Sequence, residues 1–301
     1  MKDNSVFFNW LTANHSNLNL VLTDLTWVKN WGADFYDYQA SINLNGNIYL
    51  GRGVDKVSDL ALIKSVAESL ERSLTPSGQT SSGIAVHTNE NEAARNAINE
   101  LVEHELFLSY FNSKKNIPIL KRPDRIYGTG ESLIQRNYQK TDFFCMGFFK
   151  ERYFVVAKYD FGDGFILGLG SHDDCALACE KAFFELVRKL SFYLKNPPVP
   201  LTLEDFKNTQ HHTFEHHRLL SISKDYASRV SFLFEDKPDS KFIEFFYSIN
   251  VETLQWDSIL RELNVPLYAK RAISNNINKL YVGMPTFLNQ VGVEAIPHPL
   301  G

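Results

Sequence analysis

Residues Gly51–Arg72 read GRGVDKVSDLALIKSVAESLER. Gly51 and Gly53 break the pattern before them, and a helical pattern starts near Asp55. From there to Leu74 the apolar residues Leu60, Ile63, Val66, Ala67, Leu70 and Leu74 recur at helical spacing. Thr75-Pro76-Ser77-Gly78 stops that helix. Just upstream, Ile42–Leu50 (INLNGNIYL) alternates apolar and polar around an Asn-Gly pair, a hairpin signal. A hairpin followed by an amphipathic helix makes this part of the chain α/β.

Two further segments share the theme. Ser81–Glu105 reads SSGIAVHTNENEAARNAINELVEHE, and Gly168–Lys189 reads GLGSHDDCALACEKAFFELVRK. The first predicts a short strand or tight loop, then a helix with Ala93, Ala97, Ile98, Leu101, Val102 and Leu108 on one side. The second predicts a helix over about Asp173–Leu194, ended by Asn196-Pro197-Pro198-Val199-Pro200. Before it, DFFCMGFF, RYFVVAKYD and FILGLG are aromatic and β-branched, and predict three antiparallel strands. Residues 112–140 are polar and turn-rich and predict a long surface loop. The stretch to about Asp239 predicts polar helices. Beyond it a helix around Glu252–Leu263, a strand VPLYAKRAI and a run KLYVGMPTF suggest a βαβ-type unit.

Positions three and four apart share a helix face. Glu68 and Glu71 therefore point one way, with Lys64 and Arg72 beside them. Glu100 and Glu103 do likewise, joined by Glu92, Asn96 and His104. Lys181 lies one turn before Glu185, with Arg188 beyond. Like charges this close cost about 0.2–0.5 kcal/mol per pair, and a cation between them would offset it. Magnesium takes oxygen ligands and is commonly held by few carboxylates plus substrate phosphates. Each helix follows a glycine turn, which lets a backbone approach a ligand closely, and helix N-termini favour phosphate. The competing reading is a solvated face. Glu68 with Arg72, Glu100 with His104 and Glu185 with Lys189 are ordinary one-turn pairs. No segment has the spacing of a phosphate-binding P-loop or of a dinucleotide fingerprint.

The chain has 301 residues, 44% hydrophobic, 13% aromatic, with a net charge of -4. That is enough for a large core and gives no basic excess for a nucleic-acid partner. No apolar run reaches the ~20 residues of a membrane span, and the polar-interrupted start is unlike a signal peptide. Three cysteines without framework spacing fit reduced thiols and a cytoplasmic location. In HHTFEHH, His212 and His216 are one turn apart. Zinc and a structural or substrate-facing helix both stay open. The basic residues Lys114, Lys115, Lys121, Arg122 and Arg125 read as a solvated loop or a surface for an acidic partner.

In this order the three segments resemble the YcaO family of ATP-dependent peptide-backbone-modifying enzymes. The first family motif matches Lys64, Glu68, Glu71 and Arg72 behind Gly-x-Gly. The second matches Ser81-Ser82-Gly83, Ala85, Glu92-Ala93, Glu100 and Glu103. The third, a base and a glutamate one turn later, matches Lys181 and Glu185. The tail IPHPLG fits too. Ser82 stands where Asn is usual, His104 where Arg is usual and Lys181 where Arg is common.

The resemblance implies one YcaO-type α/β domain over residues 1–301, with mixed, largely antiparallel sheets and helices carrying an ATP/magnesium site. A short extension covers about residues 1–20, and the proline-containing tail covers 295–301. It implies metal-binding Glu68, Glu71, Glu100, Glu103 and Glu185, and ATP-binding Lys64, Arg72, Ser81, Ser82, His104 and Lys181. The tail residues Pro297, His298 and Pro299 take part in catalysis, unless the tail is a disordered end. His216 or His217, with Tyr226, matches a family His and Tyr. The implied activity is ATP-dependent phosphorylation of a backbone amide oxygen, driving cyclodehydration of Cys, Ser or Thr to azolines in a ribosomally made peptide. Partners would be that precursor peptide and a separate leader-binding protein, since no such module is expected ahead of the domain. An azoline oxidase and a homodimer are compatible with it. Thioamide formation, a catalytically idle scaffold subunit and a small-metabolite enzyme are the alternatives.

Overall fold

A computed structural model describes residues 2–75, 81–125, 127, 131–236, 242–243, 248–275 and 296–300. The chain divides into two compact units. The first comprises Met1–Val102, Ile126–Gln135 and Tyr247–Asn276. The second comprises Glu103–Arg125, Arg136–Phe246 and Ile277–Gly301.

In the first unit, β1 (Val21–Asp24), β2 (Tyr36–Leu44) and β3 (Asn47–Asp55) form an antiparallel sheet in that order. Asn45 and Gly46 turn the β2–β3 hairpin with φ of 53° and 82°. That is why the Asn-Gly pair was legible, since such turns need positive φ at both central positions. Helix α3 (Ser58–Ser73) lies on this hairpin. Its buried Val66 and Leu70 join Ala40, Ile42 and Leu44 in one core cluster. Burying a side chain such as Leu70 stabilises by about 1.5–3 kcal/mol. Helix α1 (Lys2–Asn14) belongs to the same cluster through Phe7 and Leu11, as does Leu18 beyond it. The N-terminal stretch is thus part of this core. A second antiparallel sheet runs β4 (Ile84–His87), β10 (Tyr268–Ser274), β9 (Ile249–Thr253). Helix α2 (Trp27–Asn30) and helix α10 (Ser258–Glu262) complete the unit.

In the second unit, β5 (Ile119–Leu120), β6 (Thr141–Phe149), β7 (Arg152–Phe161) and β8 (Gly164–His172) form one antiparallel sheet in chain order. Helix α6 (Cys175–Lys195) packs on β7 and β8. The short helices α7 (Leu203–Asn208), α8 (Phe214–Ser221) and α9 (Lys224–Arg229) follow. Helix α4 (Glu90–Ser113) contributes its first half to one unit and its second half to the other. Helix α5 (Leu133–Gln139) is likewise shared.

The β2–β3–α3 and β7–β8–α6 modules are copies of one design. Ala40 faces Gly51 and Tyr38 faces Gly53; Ala157 faces Gly168 and Val155 faces Gly170. Helix α3 starts at Ser58 and α6 at Cys175. From Tyr36/Tyr153 through Glu68/Glu185 the two copies keep one constant offset, with no insertion or deletion.

Three sequence expectations are corrected. The stretch 112–140 is no single loop, because Ile119–Leu120 pairs with β6 and Leu133–Gln139 is helical. The expected helix around Glu252–Leu263 begins as strand. Ile249, Val251 and Thr253 alternate along β9, and Asp257 caps only the short α10. Strands β9 and β10, on either side of α10, pair antiparallel and not as the parallel strands of a βαβ unit. The run KLYVGMPTF lies outside the described residues.

The third correction concerns Gly51, Gly53, Gly168 and Gly170. They sit inside strands β3 and β8, not in turns ahead of the helices. A Cβ on Gly51 would lie 2.1 Å from the Ser65 carbonyl oxygen, and one on Gly168 2.2 Å from that of Ala182. These glycines admit a helix backbone against the strand, a packing role rather than a ligand cradle.

Candidate functional site

Among the described residues strands β3 and β8 are each the last strand of a sheet, so every second amide and carbonyl on the outer side lacks a strand partner there. In both copies a side-chain pair from the helix stands in for that strand. The Arg52 amide donates to Glu68 Oε2 at 2.9 Å, and the Leu169 amide donates to Glu185 Oε2 at 3.0 Å. Arg72 donates to Glu68 Oε1 and to the Leu50 carbonyl, both at 2.6 Å. Lys189 donates to Glu185 Oε1 at 2.9 Å and to the Leu167 carbonyl at 3.0 Å. Each glutamate is therefore clamped at both oxygens. Residues three and four apart on one helix face reach the same strand edge.

In the first unit, Glu71 stands beside Glu68. Burial, then the Glu68 charge, push its carboxyl well above the usual carboxylate range, against Arg72 and a hydrogen bond from the Val86 backbone. Lys64 is exposed and pairs with Asp55 at 2.6 Å. On the face of this sheet away from α3 Arg52 grips the fully buried Asp37, its Nε donating to both carboxylate oxygens at 2.9 and 3.1 Å and its Nη2 to Oδ2 at 2.6 Å, and Trp27 Nε1 also donates to Oδ2 at 2.9 Å. Ser81, Ser82 and Glu100 belong to this unit and are half-buried.

In the second unit, Glu103 and His104 from α4 lie within electrostatic reach of Glu185 on α6. Burial pushes Glu103 up to about 7, helped by the Glu185 charge and opposed by a Ser171 hydrogen bond, Lys181 and Arg152. Burial pushes His104 down to about 4, so it is neutral at pH 7. Burial raises Glu185 as well, but Lys189 and the Leu169 amide outweigh this, and its carboxyl ends below the usual range. Lys181 is exposed.

Ser171, Arg152 and Lys189 were not read from the sequence as site residues. Lys189 had a signal, since it holds in the second copy the place of Arg72 in the first. Ser171 and Arg152 had none, because only the β7–β8 register brings Arg152 to the Ser171 carbonyl, at 3.2 Å.

The tail is docked in the second unit. His298 is fully buried. His217 Nδ1 donates to the His298 carbonyl at 2.7 Å, the two rings stack 4.3 Å apart, and the Tyr226 hydroxyl donates to the Pro297 carbonyl. His217 and Tyr226 thus hold adjacent carbonyls of the tail, whereas His216 does not touch it in any described contact. Burial holds His217 down to about 4, so it is the neutral, Nδ1-protonated form that donates.

Two other histidines of HHTFEHH are spent locally. His212 Nε2 bonds the Phe206 carbonyl at 2.7 Å, and His216 closes a capping box with Thr213 at the start of α8. Among the described residues no three His, Cys, Asp or Glu side chains form a metal-binding group. The zinc reading of HHTFEHH therefore finds no support among the described residues. The carboxylates gather as pairs, Glu68 with Glu71 and Glu103 with Glu185, one pair in each unit. Oxygen pairs fit magnesium, which binds through one or two carboxylates and completes its shell with water and phosphate. Among the described residues no helix is long and apolar enough to cross a membrane.

The sequence matches no protein-family model and no curated protein. Solved structures do match. One is YcaO from Methanopyrus kandleri, bound with AMPPCP and Mg2+, at 13% identity and a TM-score of 0.57. The match covers 94% of this chain and 95% of that one.

The chain has the YcaO fold.

A heterocyclase in complex with substrate and cofactor matches at 11% identity and a TM-score of 0.53, over 87% of this chain and 50% of that one. The chain thus spans half the length of that heterocyclase. The YcaO expectation for fold class, mixed α/β with largely antiparallel sheets, is borne out.

Proposed function

We propose that this chain is a YcaO-type enzyme that uses ATP and Mg2+ to activate backbone amides of a ribosomally made precursor peptide. The reaction is cyclodehydration of Cys, Ser or Thr to azolines, in concert with a separate leader-binding protein. The observation that carries the proposal is the clamped glutamate on each module, Glu68 and Glu185, each beside a second carboxyl that burial raises above the usual range, Glu71 and Glu103. The fold shared with an AMPPCP- and Mg2+-bound YcaO supports it.

In the first unit Glu68 and Glu71, together with Glu100, would hold Mg2+, and in the second unit Glu103 and Glu185 would. Bound there, Mg2+ would neutralise phosphate oxygens. Glu103 would surrender its proton on binding, since a metal ligand must be ionised. Lys181, exposed on α6, would meet the nucleotide phosphates, and Lys64 likewise once released from Asp55. Ser81 and Ser82 would add hydroxyl contacts, and neutral His104 would supply a hydrogen bond without charge. The substrate's side-chain thiol or hydroxyl adds to the carbonyl carbon. The resulting oxygen takes the γ-phosphoryl group and ADP leaves; the C–O bond then breaks and phosphate departs, so one water is lost from the peptide. Positioning and charge neutralisation dominate such phosphoryl transfer. Pro297, His298 and Pro299, presented by His217 and Tyr226, would face the reacting amide.

The test is incubation with peptide, leader-binding partner, ATP and Mg2+. Mass spectrometry should show the loss of one water per site, with matching phosphate release. Glu68→Gln and Glu103→Gln should each abolish ATP turnover while the protein stays folded. Sulfur-for-oxygen exchange would assign the site to thioamide formation instead. ATP turnover without peptide would point to a small metabolite, and no turnover at all to an idle scaffold subunit.

A further inference from the structure

The two modules repeat their polar contacts as well as their fold. Where Arg72 spans Glu68 and the Leu50 carbonyl, Lys189 spans Glu185 and the Leu167 carbonyl. All three correspondences fall on the constant offset. Arg72 belongs to the ATP-binding set that the sequence suggested, whereas Lys189 does not. Yet Lys189 is the more enclosed of the two, its side chain 18% exposed against 48% for Arg72. Its ammonium already serves a carboxylate and a carbonyl, so a contact with phosphate would require leaving both. Lys181, one turn before Glu185 and exposed, suits the phosphate role instead.

We propose that Lys189 is a positioning residue for Glu185, the internal counterpart of Arg72 for Glu68. With the Leu169 amide it fixes the Glu185 carboxylate in a single orientation on the β8 edge, ready for Mg2+ and nucleotide. This rests on the function proposed above. An edge cap alone would explain the hydrogen bonds. What sets a positioning role apart is that losing the ammonium weakens Mg2+–nucleotide binding and that a second cation restores it.

The experiment has two readouts on the full chain carrying Lys189→Met or Lys189→Arg. The first is hydrogen exchange of the Leu169 amide without nucleotide. It should speed up in Lys189→Met and return towards the wild-type rate in Lys189→Arg. The second is calorimetric titration with Mg2+ and a nonhydrolysable ATP analogue. Lys189→Met should bind about 10- to 100-fold more weakly, the usual effect of losing a residue that orients a metal ligand, and Lys189→Arg should recover most of that. If Lys189→Met does not fold, Lys189→Gln takes its place with the same expectations. Unchanged affinity in the folded variant, whether or not exchange speeds up, would overturn the positioning role alone. A wild-type chain that binds no Mg2+–nucleotide would overturn the functional proposal itself, and this one with it.

Discussion

The first hairpin–helix module lies in a three-stranded sheet whose outer side shows Ile48 and Leu50 to solvent; its copy lies in a four-stranded sheet with β8 buried along nearly its whole length. The shared parts are the glycines under the helix, the glutamate on the strand edge and the base that holds it. The parts that differ follow the surroundings. Arg52 pairs with buried Asp37 in the first copy, and the corresponding Leu169 is apolar in the second. An exposed arginine holds Glu68, and an enclosed lysine holds Glu185. What stays constant between two settings so unlike is what the local geometry requires.

Alanine at the glycines tests that requirement most severely. Gly168→Ala should cost about 3 kcal/mol, the upper part of the range for overpacking, because the buried β8 cannot shift away from α6. Gly51→Ala should cost less, since the open side of its sheet leaves β3 room to move. Denaturant unfolding of the two variants measures the difference. Equal, small losses would mean that the helices do not sit on these strands as described.

Removing the bases should be milder and equally unequal. Lys189→Met leaves the Leu167 carbonyl without its donor and should cost about 1–3 kcal/mol. Arg72→Met removes a largely solvent-exposed pair and should cost about 0–1 kcal/mol. Thermal unfolding compares them, and a larger loss at Arg72 would reverse the ranking of the two copies.

The second unit should also respond to pH in a way the variants can separate. Glu103 is raised in the folded protein, so its contribution is present at low pH and fades as pH climbs towards about 7. His104 is lowered, so its contribution is present above its ordinary range and is lost as pH falls towards about 4. Between about pH 4.5 and 6.5 the two slopes oppose each other. Relative to the wild type, Glu103→Gln should tilt the profile towards stability that rises with pH across that window, and His104→Gln should tilt it towards stability that falls. Stability profiles of the metal-free protein check both, and parallel slopes in the two variants would contradict the assignment.

The smallest effect concerns the helix starts. Asp174 caps α6 by accepting from the Leu177 amide, whereas Val57 gives α3 no side-chain cap. Asp174→Ala should cost about 1 kcal/mol and Val57→Asp should stabilise by up to about as much, again by thermal unfolding.

Much of this architecture was legible because local chemistry enforced it. Asn45-Gly46 demanded a hairpin, and the apolar spacing from Leu60 to Leu74 demanded a helix on it. The lysine–glutamate spacing named Glu68 and Glu185 in their two copies. The role of the glycines was misread because Gly-x-Gly ahead of a helix looks the same whether it admits a ligand or a helix backbone. The core role of α1 was hidden, since Phe7, Leu11 and Leu18 acquire meaning only once α3 is in place. The state of His104 could not be read because burial, which the sequence does not display, sets it. The docking of Pro297 and His298 needed both His217 and Tyr226 at positions that only folding brings to the tail.

The central claim is that the clamped glutamates of both copies serve Mg2+ and ATP. Calorimetric titration of wild type, Glu68→Gln and Glu185→Gln with Mg2+ and a nonhydrolysable ATP analogue tests it most directly. Binding in the wild type and its loss in each folded variant is the expected result; wild-type affinity in both variants would contradict it.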